Sequence, residues 1–318
     1  MIIVTGGAGF IGSNIVKGLN AQGRTDIVVV DDMTDGHKSF NLADCIIADY
    51  LHYEDFLYML QSDDPLPWEI ERVSHQGACT VTTEWDGEYM MRVNFEFSKH
   101  LLNYCLKHSI PFVYASSASV YGAGTDFTIA PEKEKPINVY AWSKLVFDQY
   151  VRRVIDNAGS QIVGLRYFNV YGPNEAHKGG MASVMLHFYR QLRDEGEVRL
   201  FTGCDGYDDG EQRRDFIHVD DVVKVNLWFM ANTAKSGIFN LGTGGSRTFN
   251  DVANAALEWN SSGRIRYIPF PDNLRGSYQS FTEADIDSLR AAGYDEDFIP
   301  IEQGVPMYLD VLKATDNV

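Results

Sequence analysis

Tyr140 and Lys144 stand four residues apart in Tyr140-Ala141-Trp142-Ser143-Lys144, a spacing that puts both on one face of a helix. A phenol ordinarily titrates near ~10, too high for a base at neutral pH. An ammonium beside it and the positive ring of an oxidised nicotinamide would both stabilise tyrosinate and lower that value. The pair suits proton transfer coupled to hydride chemistry, with Tyr140 as acid/base and Lys144 tuning it and holding a nicotinamide ribose. Upstream, Ala115-Ser116-Ser117-Ala118-Ser119-Val120-Tyr121-Gly122 leaves the end of a predicted strand. There either Ser116 or Ser117 offers a hydroxyl to the substrate oxygen that Tyr140 deprotonates. A second amine, Lys178, lies between His177 and Gly179-Gly180 in a loop that leaves another predicted strand. It is a second acid/base candidate, weighed against the plainer reading of an exposed loop lysine.

The nucleotide signal is Thr5-Gly6-Gly7-Ala8-Gly9-Phe10-Ile11-Gly12, which follows a strand directly and opens a helix. Gly6 permits the tight turn, Gly9 lets the backbone approach a pyrophosphate, and Gly12 lets helix pack on strand. The N–H groups at the helix start then face the phosphates. Asp31 ends the second predicted strand, placed to accept from an adenosine ribose, which favours NAD. Lys38 and His37 follow in a glycine-containing loop and carry charge toward a 2′-phosphate, so these residues leave NAD and NADP both open.

These residues need a frame. Short Val- and Ile-rich runs at Met1–Thr5, Asp26–Val30, Asp44–Ala48, Glu71–His75, Pro111–Ala115 and Gln161–Arg166 alternate with helical patterns such as Gly12–Gln22 and Phe95–His108. That repetition predicts an α/β fold, a Rossmann-type doubly wound parallel sheet with helices on both faces. Residues 1–170 read as a dinucleotide-binding domain with later returns near 214–245. Residues 171–213 and 246–318 read as a smaller, discontinuous α/β substrate-binding lobe. Asp215-Phe216-Ile217 and Ile238–Gly242 are expected at the edge of the main sheet.

Composition narrows the partners. The 318 residues are 45% hydrophobic and 22% charged, as in ordinary globular proteins, with a net charge of −17. That sign opposes nucleic acid and anionic membranes. The cysteines, Cys45, Cys79, Cys105 and Cys204, have no metal-ligand spacing, so no metal is expected. With no leader-like or membrane-spanning run, the expected location is the cytoplasm.

The glycine turn, the serine strand end and the Tyr–Lys pair, in that order, resemble the extended short-chain dehydrogenase/reductases that modify sugar nucleotides. Thr83-Glu84-Trp85-Asp86-Gly87, His177-Lys178-Gly179, Met181-Ala182-Ser183, Arg214-Asp215-Phe216, Asn240–Gly244 and Ser277-Tyr278-Gln279 are similar to segments of the ADP-heptose 6-epimerases. This resemblance implies an isomerase that interconverts ADP-D-glycero- and ADP-L-glycero-D-manno-heptose through a 6-keto intermediate, for lipopolysaccharide inner-core synthesis. It implies NADP (NAD being possible), a homo-oligomer, typically a pentamer, and Tyr140 and Lys178 as acid/base residues on opposite faces of the ketone. By the same resemblance, Gly6, Gly9, Phe10, Ile11, Gly12, Asp31, Asp32, Lys38, Gln76, Gly77, Ala78, Cys79, Thr80, Asn94, Lys144, Val170 and Lys178 touch the cofactor. Asn169, His187, Phe201, Thr202, Gly203, Cys204, Arg214 and Tyr278 line the ADP-heptose site. The chain departs from the pattern where Asp32 replaces an asparagine, Tyr53 a lysine and Gly180 a serine, and in the acidic stretch Asp205–Glu211. Alternatives are a 4-epimerase or reductase on another nucleotide sugar, with Lys178 idle, or a non-catalytic NAD(P) redox sensor.

Overall fold

The computed structural model describes residues 1–62, 66–272 and 278–316. Thirteen strands are described: β1 (Ile2–Thr5), β2 (Ile27–Asp31), β3 (Asp49–His52), β4 (Arg72–His75), β5 (Phe112–Ser117), β6 (Ile162–Tyr167), β7 (Asn169–Tyr171), β8 (Glu197–Phe201), β9 (Arg213–Arg214), β10 (Phe216–His218), β11 (Gly237–Leu241), β12 (Arg247–Thr248) and β13 (Arg264–Ile268). The helices are α1 (Phe10–Ala21), α2 (Tyr53–Gln61), α3 (Gly87–Met90), α4 (Phe97–Lys107), α5 (Val139–Val154), α6 (Val184–Glu195), α7 (Val219–Ala231), α8 (Phe249–Asn260), α9 (Asp287–Ala292) and α10 (Ile301–Asp316).

Seven strands form one parallel sheet in the order β11-β6-β5-β4-β1-β2-β3. Because β1 and β2 are wholly buried, alternate residues feed two cores. Ile2, Val4, Ile27 and Val29 pack with Ile15, Val16 and Leu19 of α1 and Val222, Val225 and Phe229 of α7. Ile3, Val28 and Val30 face the other way, onto Phe56, Phe97, Leu101, Phe147 and Val151 of α2, α4 and α5. Such two-sided covering is what a parallel sheet requires. A third core gathers α6, α8, α10 and β8 around Leu186, Phe188, Val252, Val305 and Leu309.

Two sequence expectations are corrected. The third strand is Asp49–His52, not Asp44–Ala48. Cys45 and Ile47 pack inward from a loop, and pairing begins only at Asp49 opposite Val28. This edge strand is half-exposed, so it lacks the apolar run that marks its neighbours. Phe216–His218 does not edge the main sheet; it pairs in parallel with Asn169–Tyr171 as a separate ribbon. The ladder with β11 ends at Phe168, whose N–H donates to Leu241 O at 3.0 Å, and from Asn169 the chain pairs with β10 instead. Ile238–Leu241 does join it, as β11.

Strand order reverses between β1 and β4, and at that switch point the carboxyl edge opens into a cavity. Between α3 and α4 the helix widens into a π turn at Met91–Glu96, a distortion frequent beside functional sites.

Candidate active site

The cavity at the switch point encloses about 680 Å³. Its floor is the turn after β1. Gly6 has φ +64°, and a Cβ on Gly12 would lie 2.0 Å from Gly6 O, so only glycine lets α1 start this close. Gly9, the residue before α1, provides no side-chain cap, and the first turn carries no acidic residue. The helix start thus presents backbone N–H groups and a positive dipole end to the cavity, a fit for a pyrophosphate. Gly6, Gly9, Phe10, Ile11 and Gly12 all line it.

Asp31 lies at the adjacent corner, 6% exposed. Its Oδ2 accepts from Ala8 N at 2.7 Å, and its Oδ1 from Asp32 N at 2.7 Å and Lys38 Nζ at 2.5 Å. With roughly four acceptor positions on a carboxylate, one remains for a ribose hydroxyl. Lys38 also donates to Asp32 O, which leaves its ammonium a third donor. Asp32 is off the cavity wall. Its carboxylate accepts from Thr34 N and Oγ1, and those bonds hold it below the usual range. Tyr53 instead donates to Glu54 at 3.2 Å.

The opposite wall is the segment after β4. Gln76, Gly77, Ala78 and Thr80 line the cavity. Cys79 and Asn94 stand behind it: Asn94 Oδ1 accepts from Cys79 N at 2.8 Å, and its Nδ2 donates to Cys79 O and Ser143 Oγ, each at 3.0 Å. The asparagine thus clamps the wall onto α5 and has no donor left for a ligand. His75 completes this clamp. It is fully buried, which pushes its imidazole down to about 3. Thr5 Oγ1 accepts from Gly77 N at 3.1 Å and meets His75 Nδ1 at 2.6 Å. His75 Nε2 meets Ser98 Oγ at 2.7 Å, and that hydroxyl donates to Asn94 O. Neutral histidine with its proton on Nε2 satisfies every partner.

Deeper in, α5 delivers Tyr140 and Lys144. Asn138 caps this helix by accepting from Ala141 N, which fixes where it begins. Lys144 is 5% exposed and donates to Ala115 O at 2.9 Å. Burial pushes its ammonium down to about 8, against the pull of Asp148. Tyr140 is bonded to Ser117, which lowers its phenol, but burial outweighs that bond and raises it. The two serines part company. Ser116 Oγ donates to Asp148 at 2.9 Å, joining Tyr114 and Arg166 on that carboxylate, whereas Ser117 faces Tyr140.

Lys178 enters from the loop after β7. Asn14 Nδ2 donates to Pro173 O at 2.9 Å and Asn174 Nδ2 to Ser13 Oγ at 2.9 Å, binding this loop to α1. The Lys178 ammonium lies 5.3 Å over the Phe10 ring, and burial pushes it down, opposed by Glu175. It lines the same cavity as Tyr140, Asn169 and Val170.

Arg214 ends the cavity. Asp215 does not pair with it, being occupied by Thr243, Gly244 and Ala284. The Arg214 guanidinium sits 4.7 Å over Tyr278 and 5.7 Å from Phe249, donates to Arg213 O, and is depressed by burial. Tyr278 meets Phe270 edge-on at 5.2 Å, and Phe270 meets Phe201 at 5.5 Å. This file of rings extends beyond the cavity wall. Thr202, Gly203 and Cys204 run beside it: Thr202 Oγ1 accepts from Phe270 N, Gly203 N donates to Asp209, and Cys204 Sγ accepts from Gln212. His187 is half-buried on α6 and off the cavity wall, and Ser277 lies outside the described residues. Sequence reasoning missed Asp148 and Phe249; a carboxylate one turn beyond Lys144 was the available signal for the first.

A phosphate cradle, an acceptor for ribose and a phenol–amine pair with its amine buried, gathered at the carboxyl edge of one parallel sheet, define a dinucleotide-dependent enzyme. Residues 2–242 match the NAD dependent epimerase/dehydratase family, and the chain belongs to that family. Over 318 residues it is 59% identical to the ADP-L-glycero-D-manno-heptose-6-epimerase of Alkalilimnicola ehrlichii, covering 100% of this chain and 99% of that one. The crystal structure of the Helicobacter pylori ADP-L-glycero-D-manno-heptose-6-epimerase matches with a TM-score of 0.85 at 29% identity, covering 98% of this chain and 96% of that one. The Thermus thermophilus UDP-glucose 4-epimerase in complex with NAD matches at 0.78 and 27% identity, over 98% of each chain. Among the described residues, no helix is long and apolar enough to cross a membrane.

Proposed function

We propose that this chain interconverts ADP-D-glycero-D-manno-heptose and ADP-L-glycero-D-manno-heptose at C6, as the name of its 59%-identical relative says of that protein. The observation that carries the reading is a single cavity lined by the glycine turn, Tyr140 and Lys178 together. A bound nicotinamide dinucleotide supplies the hydride acceptor and donor. The helix start at Phe10–Gly12 holds its pyrophosphate, Asp31 a ribose hydroxyl, and Lys144 the second ribose.

The chain's own residues manage protons and orientation. Tyr140, steadied by Ser117, exchanges a proton with the C6 oxygen in one pose of the sugar. Lys178 does so when the 6-keto intermediate has turned its other face. An amine depressed by burial exists in both protonation states closer to neutrality, as an acid/base that works in both directions requires. Arg214, with no carboxylate to satisfy it among the described residues, suits the ADP diphosphate. Asn169 and the Phe201–Phe270–Tyr278 file offer a wall and a stacking surface to the rest of the nucleotide sugar. NADP is the proposed cofactor, because the third donor of Lys38 fits a 2′-phosphate. A cytoplasmic homo-oligomer, a pentamer by resemblance, feeding lipopolysaccharide inner-core synthesis completes the proposal.

Proton NMR of purified protein mixed with ADP-D-glycero-D-manno-heptose, without added cofactor, tests this. Conversion to the L-glycero epimer is expected. No conversion, even after NADP and then NAD are supplied, overturns the heptose assignment. Lys178→Met is expected to bind cofactor normally and lose interconversion by about 10²-fold or more. Turnover like the wild type in that variant overturns the two-residue scheme.

A further inference from the structure

Three residues before Lys178, a carboxylate is completely enclosed. Glu175 has 0% exposure. Its Oε2 accepts from Ser183 N at 2.6 Å and its Oε1 from Ser183 Oγ at 2.5 Å. Ser183 is the residue before α6, yet its hydroxyl does not cap that helix, being committed to Glu175. One carboxylate thereby joins both ends of the loop that carries Lys178.

The rest of that loop has little to fix it. Gly179 has φ +55°, and a Cβ on Gly179 or Gly180 would meet nothing within 4 Å. Beyond its base, the loop is a short 3₁₀ turn over Ala176–Met181, broken at Gly179, with Lys178 N donating to Glu175 O at 3.0 Å and Ala182 N to Gly179 O at 3.2 Å, and it is steadied from outside by Asn41 against His177 at 3.3 Å and Thr82 Oγ1 against Met181 Sδ at 3.6 Å. Glycines that free the tip leave the position of the amine to be set from the base.

We propose that Glu175 is a positioning residue for Lys178: its buried carboxylate closes the 175–183 loop on Ser183 and so holds the amine over Phe10, inside the cavity. This rests on Lys178 being one of the two acid/base residues. The same carboxylate favours the protonated form of the Lys178 ammonium, while burial raises its own carboxyl against the bonds from Ser183 and the charge of Lys178. His177, the other titratable neighbour on the loop, is depressed by burial and by Lys38 and Lys178. From α10, Tyr308 borders Glu175 and is pushed up by burial and by that charge, while Arg190 of α6 opposes the push. A buried carboxylate costs free energy unless its partners satisfy it. Here both donors belong to Ser183, at the far end of the loop that Glu175 begins.

The test compares Glu175→Ala, Glu175→Gln and Lys178→Met in the full-length holoenzyme, with ADP-D-glycero-D-manno-heptose as substrate. Glu175→Ala is expected to lower kcat about 10²-fold, the cost of misplacing a catalytic group by an ångström, with KM and bound cofactor within about twofold. Glu175→Gln keeps an acceptor for Ser183 N and recovers part of that kcat. Having lost the negative charge, it shifts the limb of the pH profile that Lys178 governs to lower pH. Wild-type kcat and pH profile in Glu175→Gln, with Lys178→Met inactive, overturn the inference and leave the acid/base reading standing. A Glu175→Ala loss that appears in cofactor content rather than kcat, and that glutamine does not relieve, overturns it too. Turnover in Lys178→Met removes the reading on which the inference rests.

Discussion

Ser116 and Ser117 are neighbours on β5, and the pleat of a strand sends neighbours to opposite faces. Ser117 reaches Tyr140, and Ser116 reaches Asp148 in the protein interior. Ser117→Ala is therefore expected to lower kcat while leaving the melting temperature near its original value. Ser116→Ala removes one of several donors to Asp148 and is expected to cost about 1 kcal/mol of stability with a smaller effect on turnover. Steady-state kinetics and thermal unfolding of both variants check the pair. The sequence left these serines interchangeable, because which of them meets Tyr140 depends on the phase of the strand against its neighbours. Next to Asp31, Asp32 adds a second negative charge at the corner where the proposed NADP would bring its 2′-phosphate. Asp32→Asn is expected to shift preference toward NADP by roughly fivefold, about 1 kcal/mol, in the ratio of dissociation constants for NADP and NAD.

At the scale of elements, the wall after β4 is held by relays rather than by packing alone. His75 ties β1 through Thr5 to α4 through Ser98, and Asn94 carries the connection from the π turn to Cys79 and α5. The folded imidazole titrates at about 3 against an ordinary value of 6.5, so the unfolded chain takes up a proton that the native one refuses. Its contribution is complete above about pH 6.5 and is lost as pH falls toward 3, at no more than about 1.4 kcal/mol per pH unit. Urea unfolding followed across that window should show this decline, and His75→Gln should flatten it. The glycine turn, Asp31 and the Tyr140–Lys144 spacing were legible because short-range sequence order encodes them. The edge strand Asp49–His52 was not, for it buries too little to show a pattern, and neither was the β7–β10 ribbon, which joins segments far apart in the chain. Asn94 was legible as a residue of the cofactor wall, but its bonds to Cys79 and Ser143, which clamp that wall onto α5, were not.

Over the whole molecule, the C-terminal helix meets the β7–β10 ribbon through a close contact. On α10, a Cβ at Gly304 would lie 2.0 Å from the Tyr171 hydroxyl, and Tyr171 is wholly buried, with no room to retreat. Gly304→Ala is expected to push α10 off β7 and to cost about 1–3 kcal/mol, read as a lowered urea midpoint. The strand order carries a different consequence. β6 lies between β5 and β11, every one of its side chains is buried, and β11 is supplied only by Gly237–Leu241. During synthesis, the ribosome releases β6 long before the strand that covers its free edge. Throughout that interval the nascent chain presents an apolar template for strand addition, the situation in which polypeptides associate wrongly. The demand on chaperones should therefore peak while the segment between β6 and β11 is being translated, and ease once Leu241 has cleared the exit tunnel.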